Sequence, residues 1–156
     1  GSLRMRLALF QPDIPQNLGA AIRLGACLGV ELDVIEPCGF PLDDRAIRRS
    51  AMDYGLLGAL KRHASWADFA ADPLRRKGRL VLMTTRADQS LYDFTFQPGD
   101  TLLMGRESAG VPEEIHQAAD QRIIIPMMKG ARSFNVTVSA ALALGEALRQ
   151  TGQLPP

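Results

Sequence analysis

The chain has 156 residues and a mass of 17.0 kDa, the size of one domain with its own hydrophobic core. Hydrophobic residues make up 46% of it and charged residues 22%, with a formal net charge of +1, which is typical of an ordinary globular protein. No run approaches the ~18 uninterrupted apolar residues of a membrane-spanning helix, and no basic-then-apolar leader is present, so we expect neither a transmembrane segment nor a secretory signal.

Strand-like and helix-like patterns alternate along the chain. Short apolar runs predict the strands, and start and stop signals such as Pro15, Gly29 and Ser65 predict the helices. In chain order the predicted elements are strand 6–10, helix 15–29, strand 31–37, a short helix near 43–50, strand 56–62, helix 65–73, strand 79–85, strand 100–105, a helix from 112, strand 122–126 and helix 134–150. This alternation predicts an α/β domain with a mainly parallel sheet, and runs such as LVLM and IIIP predict strands covered on both faces.

We expect a single domain over residues 5–151. Residues 1–4 have the character of an expression remnant, because Gly-Ser is a common scar and Met5 is a plausible native start. The tail, residues 152–156, is expected to be loose.

The two cysteines, Cys27 and Cys38, are too far apart for a CxxC motif, and the two histidines are distant from both. This pattern predicts no zinc site and no other metal cluster. We expect reduced thiols in a cytoplasmic protein, with Cys27 buried in its helix.

Three polar loops follow predicted strands in the second half of the chain. They are MTTRADQS, MGRESAGVPEE and PMMKGARSFN. Ligands of open α/β sheets bind outside the carboxyl ends of the strands, so these loops predict a small-molecule site. Each loop on its own is also compatible with a simple turn between a strand and a helix.

Several common catalytic motifs do not occur. GRESAG lacks the GK[ST] of a Walker loop, and LFQPDIPQNLG has proline where a GxGxxG loop needs glycine. There is no GxSxG elbow, and neither cysteine has a nearby histidine, so covalent catalysis has no candidate. The sequence therefore predicts a bound small molecule that brings its own reactivity.

Three motifs together resemble those of one enzyme family. They are Asn17-Leu18-Gly19 followed by Arg23, the segment LMGRESAGVP at 103–112, and Ile125-Pro126-Met127 followed by Arg132-Ser133-Phe134-Asn135. On these motifs the chain resembles the SPOUT superfamily of S-adenosylmethionine-dependent RNA methyltransferases. Within it, IEPCGFPLDDRAIRRSAMDY and the Arg-His pair at 62–63 are similar to the small single-domain tRNA 2′-O-methyltransferases of the TrmL, or YibK-like, group. The resemblance covers the chain from Arg6 to Gln150.

The resemblance implies both a fold and a reaction. The fold is a single α/β domain whose C-terminal part forms a deep trefoil knot, through which the last helix threads. The reaction is methyl transfer from S-adenosylmethionine, which leaves S-adenosylhomocysteine, to the ribose of the wobble cytidine or uridine in the anticodon stem-loop of tRNA. The resemblance also implies a homodimer with its sites near the subunit interface.

By the same resemblance, the catalytic residues are Arg23, Asn17 and Glu107. Arg23 is expected beside the ribose 2′-hydroxyl, although arginine is a poor base because its pKa exceeds about 12. It can act through a strongly perturbed pKa, or by stabilising a forming alkoxide while phosphate or water takes the proton. Alternative roles are a solvent-facing arginine, a helix-capping Asn17 and an exposed loop acid at Glu107.

The cofactor is expected to contact Met83, Gly105, Ile125, Ser133 and Asn135. Met83 and Ile125 are equally compatible with packing at strand ends. Gly105 is more informative, since glycine permits close backbone approach to a ligand. Ser133 is also predicted to cap the N-terminus of the last helix.

RNA contacts are expected from exposed basic residues. Arginine pairs with phosphate and stacks on bases. The predicted RNA-contact residues are Arg45, Arg48, Arg49, His63 and Arg132. Surface salt bridges with Asp43, Asp44 or Asp53 are an alternative role for Arg48 and Arg49, and we expect His116 and Trp66 to be structural.

Three different functions are also compatible with the sequence. One is that of a sister enzyme acting on another RNA, such as ribosomal RNA, although such enzymes often carry an extra RNA-binding domain, which this small chain lacks room for. A second is a non-catalytic RNA-binding protein that holds the cofactor, and a third is an unrelated flavodoxin-like nucleotide binder. The chain also departs from the family at Val138, which is usually asparagine, and at Gly145, which is often tyrosine; both departures concern tRNA choice more than cofactor binding.

Overall fold

A computed structural model describes residues 3–43, 45 and 60–156. In this part of the chain, six β-strands and four α-helices alternate, together with two short 3-10 helices at Arg75–Lys77 and Leu91–Asp93. The strands are β1 Arg6–Phe10, β2 Glu31–Ile35, β3 Leu60–His63, β4 Leu80–Met83, β5 Thr101–Met104 and β6 Gln121–Ile123. The helices are α1 Pro15–Leu28, α2 Trp66–Ala71, α3 Glu113–Ala118 and α4 Val136–Thr151. Arg48, Arg49 and residues 56–59 of the predicted third strand lie outside the described residues.

All six strands form one parallel sheet in the order β3-β2-β1-β5-β4-β6. Leu7 of β1 is in register with Leu32 of β2 on one side and with Leu102 of β5 on the other. The prediction of an α/β domain with a parallel sheet is confirmed. The strand order reverses direction between β1 and β5, and in such sheets a ligand crevice opens outside the carboxyl ends of the strands at that point.

Both faces of the central strands β1, β4 and β5 are buried, as the apolar strand runs predicted. Alternate side chains point to opposite faces, so Leu7 and Leu102 join a core cluster with Leu144 of α4, while Ala8 and Leu103 join a second cluster on the other face. The helices α1 and α4 cover the first face, and α2 and α3 cover the second.

The helix boundaries follow their sequence signals. Helix α1 has Pro15 in its first turn and ends at Gly29, whose φ of 69° is in the left-handed region that glycine tolerates. Ser65 caps α2 by accepting a hydrogen bond of 3.1 Å from the Asp68 N–H. Helix α3 begins after Pro112 with two acidic residues in its first turn.

One expectation about the surface is wrong. Cys27 is exposed, because α1 buries Leu18, Ala21 and Gly25, and residue 27 points away from that stripe. In the tail, Gln153 Oε1 accepts from the Met5 N–H at 3.1 Å and Gln153 Nε2 donates to the Pro98 carbonyl at 3.1 Å, while the looseness of the tail as a whole stays a prediction.

No helix among the residues described is long and apolar enough to cross a membrane. The trefoil knot implied by the resemblance stays a prediction.

Candidate functional site

A cavity of about 330 Å³ opens at the carboxyl ends of β4, β5 and β6. We call it the three-loop cavity, because the three polar loops noted in the sequence line it. Its lining residues lie within 82–86 at the end of β4, within 104–111 at the end of β5, and within 124–139 between β6 and the first turn of α4, with His116 of α3 beside them. Of the predicted cofactor-binding residues, Met83, Gly105, Ile125 and Ser133 line this cavity, and so does Glu107.

The wall contributed by the loop after β5 is a tight hairpin, residues 105–110. Arg106 and Gly110 exchange two backbone hydrogen bonds of 2.9 Å each. A Cβ on Gly105 would lie 2.8 Å from the backbone of Gly110, which real Cβ atoms do not tolerate. Gly105 is therefore required by the closing of its own hairpin, a reason different from the close approach to a ligand that the sequence suggested.

Arg106 also lines the cavity, although no sequence pattern marked it as a site residue. Its Nε donates to the Gly110 carbonyl at 3.0 Å, and its guanidinium carbon lies 5.4 Å from the centroid of the Phe10 ring. The hairpin and the ring together hold this cation in place at the rim. Its position inside the GRESAG motif was visible, but a loop arginine carries no sequence signal of where it will point.

A pair of carboxyl groups joins the loop after β1 to this hairpin. The Asp13 N–H donates to Glu107 Oε2 at 3.1 Å, and the Glu107 N–H donates to Asp13 Oδ1 at 3.2 Å. The hydroxyl of Ser108 donates to Asp13 Oδ2. Hydrogen bonding to Glu107 lowers the pKa of Asp13 to about 2, while burial and the contact with Asp13 raise the pKa of Glu107 above its ordinary value. The proton that the pair can hold therefore resides on Glu107.

Asn17 connects this pair to the last helix. Its Nδ2 donates to Glu107 Oε1 at 3.1 Å, and its Oδ1 accepts from Asn135 Nδ2 at 3.0 Å. Its backbone carbonyl accepts from the Thr137 hydroxyl at 3.1 Å. Asn17 does not cap α1, whose N-cap position is Ile14, so its side chain is committed to this network.

The predicted capping role of Ser133 is wrong. The N-cap of α4 is Asn135, whose Oδ1 accepts from the N–H groups of Thr137 at 2.8 Å and Val138 at 3.2 Å. A cap at Ser133 would require α4 to start at residue 134, but the helix starts at Val136. Ser133 therefore remains in the exposed loop that lines the cavity.

Arg23, Arg45 and Arg132 do not line the cavity. Arg23 is exposed on α1, Arg132 is exposed in the loop before α4, and Arg45 is exposed. The structure brings Asn17 and Glu107 into direct contact, and Arg23 follows Asn17 on the same helix.

The expectation that His63 contacts RNA is corrected by its burial. Its side chain is 4% exposed, and its Nε2 lies 2.8 Å from Asp33 Oδ1. Arg6 donates to both oxygens of the same carboxylate, at 2.9 and 3.0 Å, and the Phe69 ring packs edge-on against the imidazole at 5.1 Å. His63 belongs to a buried polar network at the edge of the sheet.

The structural roles expected for His116 and Trp66 stay predictions, and His116 also lines the three-loop cavity. His116 is buried on α3, where its Nε2 lies 3.3 Å from the Thr84 hydroxyl. Burial lowers the pKa of His116, so the ring facing the cavity is neutral at pH 7. Trp66 packs on Phe10 and Phe69.

The known proteins to which this chain is similar are RNA methyltransferases. The model of the SpoU rRNA methylase family matches residues 4–145. A tRNA (cytidine(34)-2′-O)-methyltransferase from Beijerinckia indica is 58% identical over 148 residues, which are 95% of this chain and 92% of the relative.

Two solved structures share the fold. One, described as giving structural insights into the 2-OH methylation of C/U34 on tRNA, has a TM-score of 0.83 and 39% identity, covering 96% of this chain and 97% of that one. The other is the SpoU methyltransferase AviRb from Streptomyces viridochromogenes in complex with the cofactor AdoMet, with a TM-score of 0.79 and 28% identity, covering 95% of this chain and 60% of that one.

Proposed function

The chain belongs to the SpoU rRNA methylase family, and from this premise we propose that it transfers a methyl group from S-adenosylmethionine to the ribose 2′-hydroxyl of the wobble nucleoside, position 34, of tRNA. The observation that carries this proposal is the 58% identity, over nearly the whole of both chains, to a relative named for that reaction on cytidine 34. The neighbour that concerns C/U34 extends the proposed substrate to uridine.

The three-loop cavity fits S-adenosylmethionine. It combines apolar side chains, such as Met83 and Ile125, with polar groups of the loops, which suits an adenosyl group carrying a charged amino-acid tail. We propose that Met83, Gly105, Ile125 and Ser133 hold the cofactor, with Asn135 fixing the loop at the start of α4. When bound, the cofactor supplies an electrophilic methyl group on a sulfonium.

The protein's part in the reaction is alignment and charge stabilisation. In-line methyl transfer requires the attacking oxygen to lie opposite the leaving sulfur, so positioning supplies much of the acceleration. Asn17 and Arg23 are on the same helix, and the bond from Asn17 to Glu107 fixes the start of that helix against the cavity wall. Arg23 then stabilises the developing negative charge on the ribose oxygen, because a guanidinium is a poor base but a permanent cation.

We propose that arginines bind the RNA, and the structure describes two of them. Arg132 is exposed in a loop whose neighbouring residues line the cavity, and Arg45 is exposed. We propose that these two, with Arg48 and Arg49, pair with phosphates of the anticodon stem-loop. His63 is removed from this set by its burial.

We also propose that the chain acts as a homodimer. Val138 and Leu142 lie one turn apart on α4 and are 47% and 37% exposed, and Ile14, before α1, is 40% exposed. The starts of α1 and α4 are joined by the bond from the Thr137 hydroxyl to the Asn17 carbonyl. We propose that these apolar side chains share one side of the molecule and that a second copy covers it.

A methyl-transfer assay tests the proposed function. Unmodified tRNA is incubated with the protein and S-adenosylmethionine, and nucleoside mass spectrometry locates the product. We expect 2′-O-methylation at position 34. Methylation confined to ribosomal RNA would assign the chain to the sister activity, and calorimetry that detects no cofactor binding would contradict the proposal altogether.

Arg23→Ala is the informative variant in this assay. We expect it to lose at least about 100-fold in turnover, the scale of losing a group that stabilises transition-state charge, while its affinity for the cofactor is unchanged. Arg76→Ala, which removes another exposed arginine from a 3-10 helix, is the matched control.

A further inference from the structure

Asp13 lies in the loop between β1 and α1, and it neither lines the cavity nor belongs to the predicted catalytic and RNA-binding residues. The loop leaves the sheet beside β5, at the point where the strand order reverses. Both carboxylate oxygens and the backbone N–H of Asp13 are bonded to Glu107 and Ser108, 94 and 95 residues further along the chain.

The contact between Asp13 and Glu107 is reciprocal. Each residue donates its backbone N–H to the other's carboxyl group, at 3.1 and 3.2 Å. The pair resembles a helix capping box in logic, since two backbone donors are satisfied by two side chains. It fixes the position of the Glu107 backbone and of its side chain at once.

Asp13 is itself supported from behind by the loop that follows β2. A Cβ on Gly39 would lie 2.7 Å from the Asp13 Cβ, and the Gly39 N–H donates to the Pro12 carbonyl at 3.0 Å. Gln11 has a φ of 44°, which non-glycine residues rarely adopt, and its N–H donates to the Ile35 carbonyl at 2.8 Å. These contacts fix the position of the Asp13 backbone. The hydrogen bonds between Asp13 and Glu107 then fix the position of Glu107.

Glu107 in turn binds Asn17, which binds Asn135. Asp13 thus begins a chain of hydrogen bonds that runs from the first loop, through the cavity wall and the helix bearing Arg23, to the cap of α4. The 105–110 hairpin closes through its own backbone bonds between Arg106 and Gly110. Without Asp13 the hairpin keeps its shape, but its placement against α1 is no longer fixed from this side.

We propose that Asp13 is a positioning residue for methyl transfer: it holds Glu107 in the place from which Asn17 and the start of α1 are aligned with the cofactor cavity. This proposal rests on the proposed function. It assigns Asp13 an effect on turnover rather than on cofactor affinity, because the cavity wall is closed without it.

The first test compares Asp13→Ala with Asp13→Asn. Alanine removes both acceptors. Asparagine keeps an oxygen for the Glu107 N–H, and its amide can donate to the Ser108 hydroxyl, so the placement survives without the charge. We expect Asp13→Ala to lose about 30- to 100-fold in kcat, the cost of a misplacement of about 1 Å, with cofactor Kd within about threefold of wild type. Asp13→Asn should retain most of the wild-type kcat.

Gly39→Ala is a second way to move Asp13 away from its position beside Glu107. Its added methyl group collides with Asp13 but removes no hydrogen-bonding group of the network. We therefore expect kcat to fall, as in Asp13→Ala. Asp93→Ala, which removes an exposed aspartate outside the cavity lining, is the matched control and should behave as wild type.

Hydrogen exchange supplies a readout that does not depend on activity. The Glu107 amide should exchange faster in Asp13→Ala than in wild type and remain protected in Asp13→Asn. Wild-type kcat in a folded Asp13→Ala protein would overturn the proposal, and so would an Asp13→Asn protein as slow as the alanine variant, since the charge and not the placement would then matter. A wild-type protein that transfers no methyl group would contradict the proposed function, while the exchange pattern would still decide whether Asp13 holds Glu107.

Discussion

Single residues at the cavity act through backbone geometry as much as through side-chain chemistry. Gly105 has to lack a side chain because the Gly110 backbone lies against it. Gly110 itself has a φ of 62°, so the hairpin needs glycine at both ends for different reasons. The carboxyl pair of Asp13 and Glu107 then fixes this hairpin against the loop after β1.

Replacing Gly105 with alanine tests the wall of the cavity. The added Cβ forces the hairpin open at Gly110, so we expect the cofactor Kd to rise at least about tenfold, which is about 1.4 kcal/mol of binding free energy. Isothermal titration calorimetry with S-adenosylmethionine measures it. Gly145→Ala, where an added Cβ meets nothing within 4 Å, should leave the affinity unchanged; equal affinities for both variants would show that the hairpin does not shape the site.

The carboxyl pair predicts a specific pH dependence of stability. The raised pKa of Glu107 means that the folded state holds this proton more tightly than the unfolded state does. The contribution of Glu107 to the free energy of unfolding is therefore complete below its ordinary pKa of 4.5. It is lost as the pH rises through the raised pKa of the folded state. Asp13 acts oppositely, since its contribution is lost only as the pH falls from 3.8 through about 2.

Glu107→Gln separates the two effects, because glutamine has no proton to release. We expect the free energy of unfolding of the variant, relative to wild type, to rise as the pH increases above 4.5, measured by urea denaturation at several pH values. Altered hydrogen bonds add only a constant offset. A difference that does not change over this range would contradict the assigned protonation.

At the scale of the elements, the start of α4 is hydrogen-bonded to the start of α1. Its cap residue Asn135 accepts from two backbone N–H groups and also donates to Asn17, and Thr137 in the first turn donates to the Asn17 carbonyl. The loop that precedes it lines the cavity through Ser133 and Phe134. Stability of this helix terminus and shape of the cavity are therefore linked.

Asn135→Ala should lower the free energy of unfolding by about 1 kcal/mol, the usual cost of losing an N-cap side chain. Ser133→Ala should leave it unchanged, because Ser133 does not cap the helix. Urea denaturation of the two variants distinguishes the two positions. A larger loss in Ser133→Ala than in Asn135→Ala would place the cap where the sequence first indicated it.

At the scale of the whole molecule, much of the architecture was predictable because its signals are local. Val81 and Leu82 of β4, which point to opposite faces of the sheet, are both fully buried, as the apolar run LVLM predicts. Ser133 and Asn135 are both good cap residues, and only the path of the loop decides between them. His63 looks like a surface residue until Asp33, 30 residues earlier, is found beside it. The motifs placed Asn17 and Glu107 together, but Asp13 carried no pattern of its own, and threading of a knot leaves no periodic signal in a sequence.

The proposed homodimer is a property of the whole molecule and can be tested through Leu142. Leu142→Glu introduces a charge on the exposed apolar side of α4, so we expect the protein to become monomeric in analytical ultracentrifugation while its circular dichroism is unchanged. Leu74→Glu is the matched control, since Leu74 is 43% exposed on a different part of the surface. A wild-type monomer, or a Leu142→Glu dimer of wild-type affinity, would contradict this interface.

The central position of β1 also governs how the molecule is made. β1 pairs with β2 on one side, but its other neighbour, β5, begins only at Thr101. During synthesis, the edge of β1 that later pairs with β5 therefore stays unpaired until most of the protein has been made. The partners of Asp13 and Asn17 arrive later still, at Glu107 and Asn135. A chain that stalls before Thr101 therefore leaves this edge of β1 open to pairing with another chain.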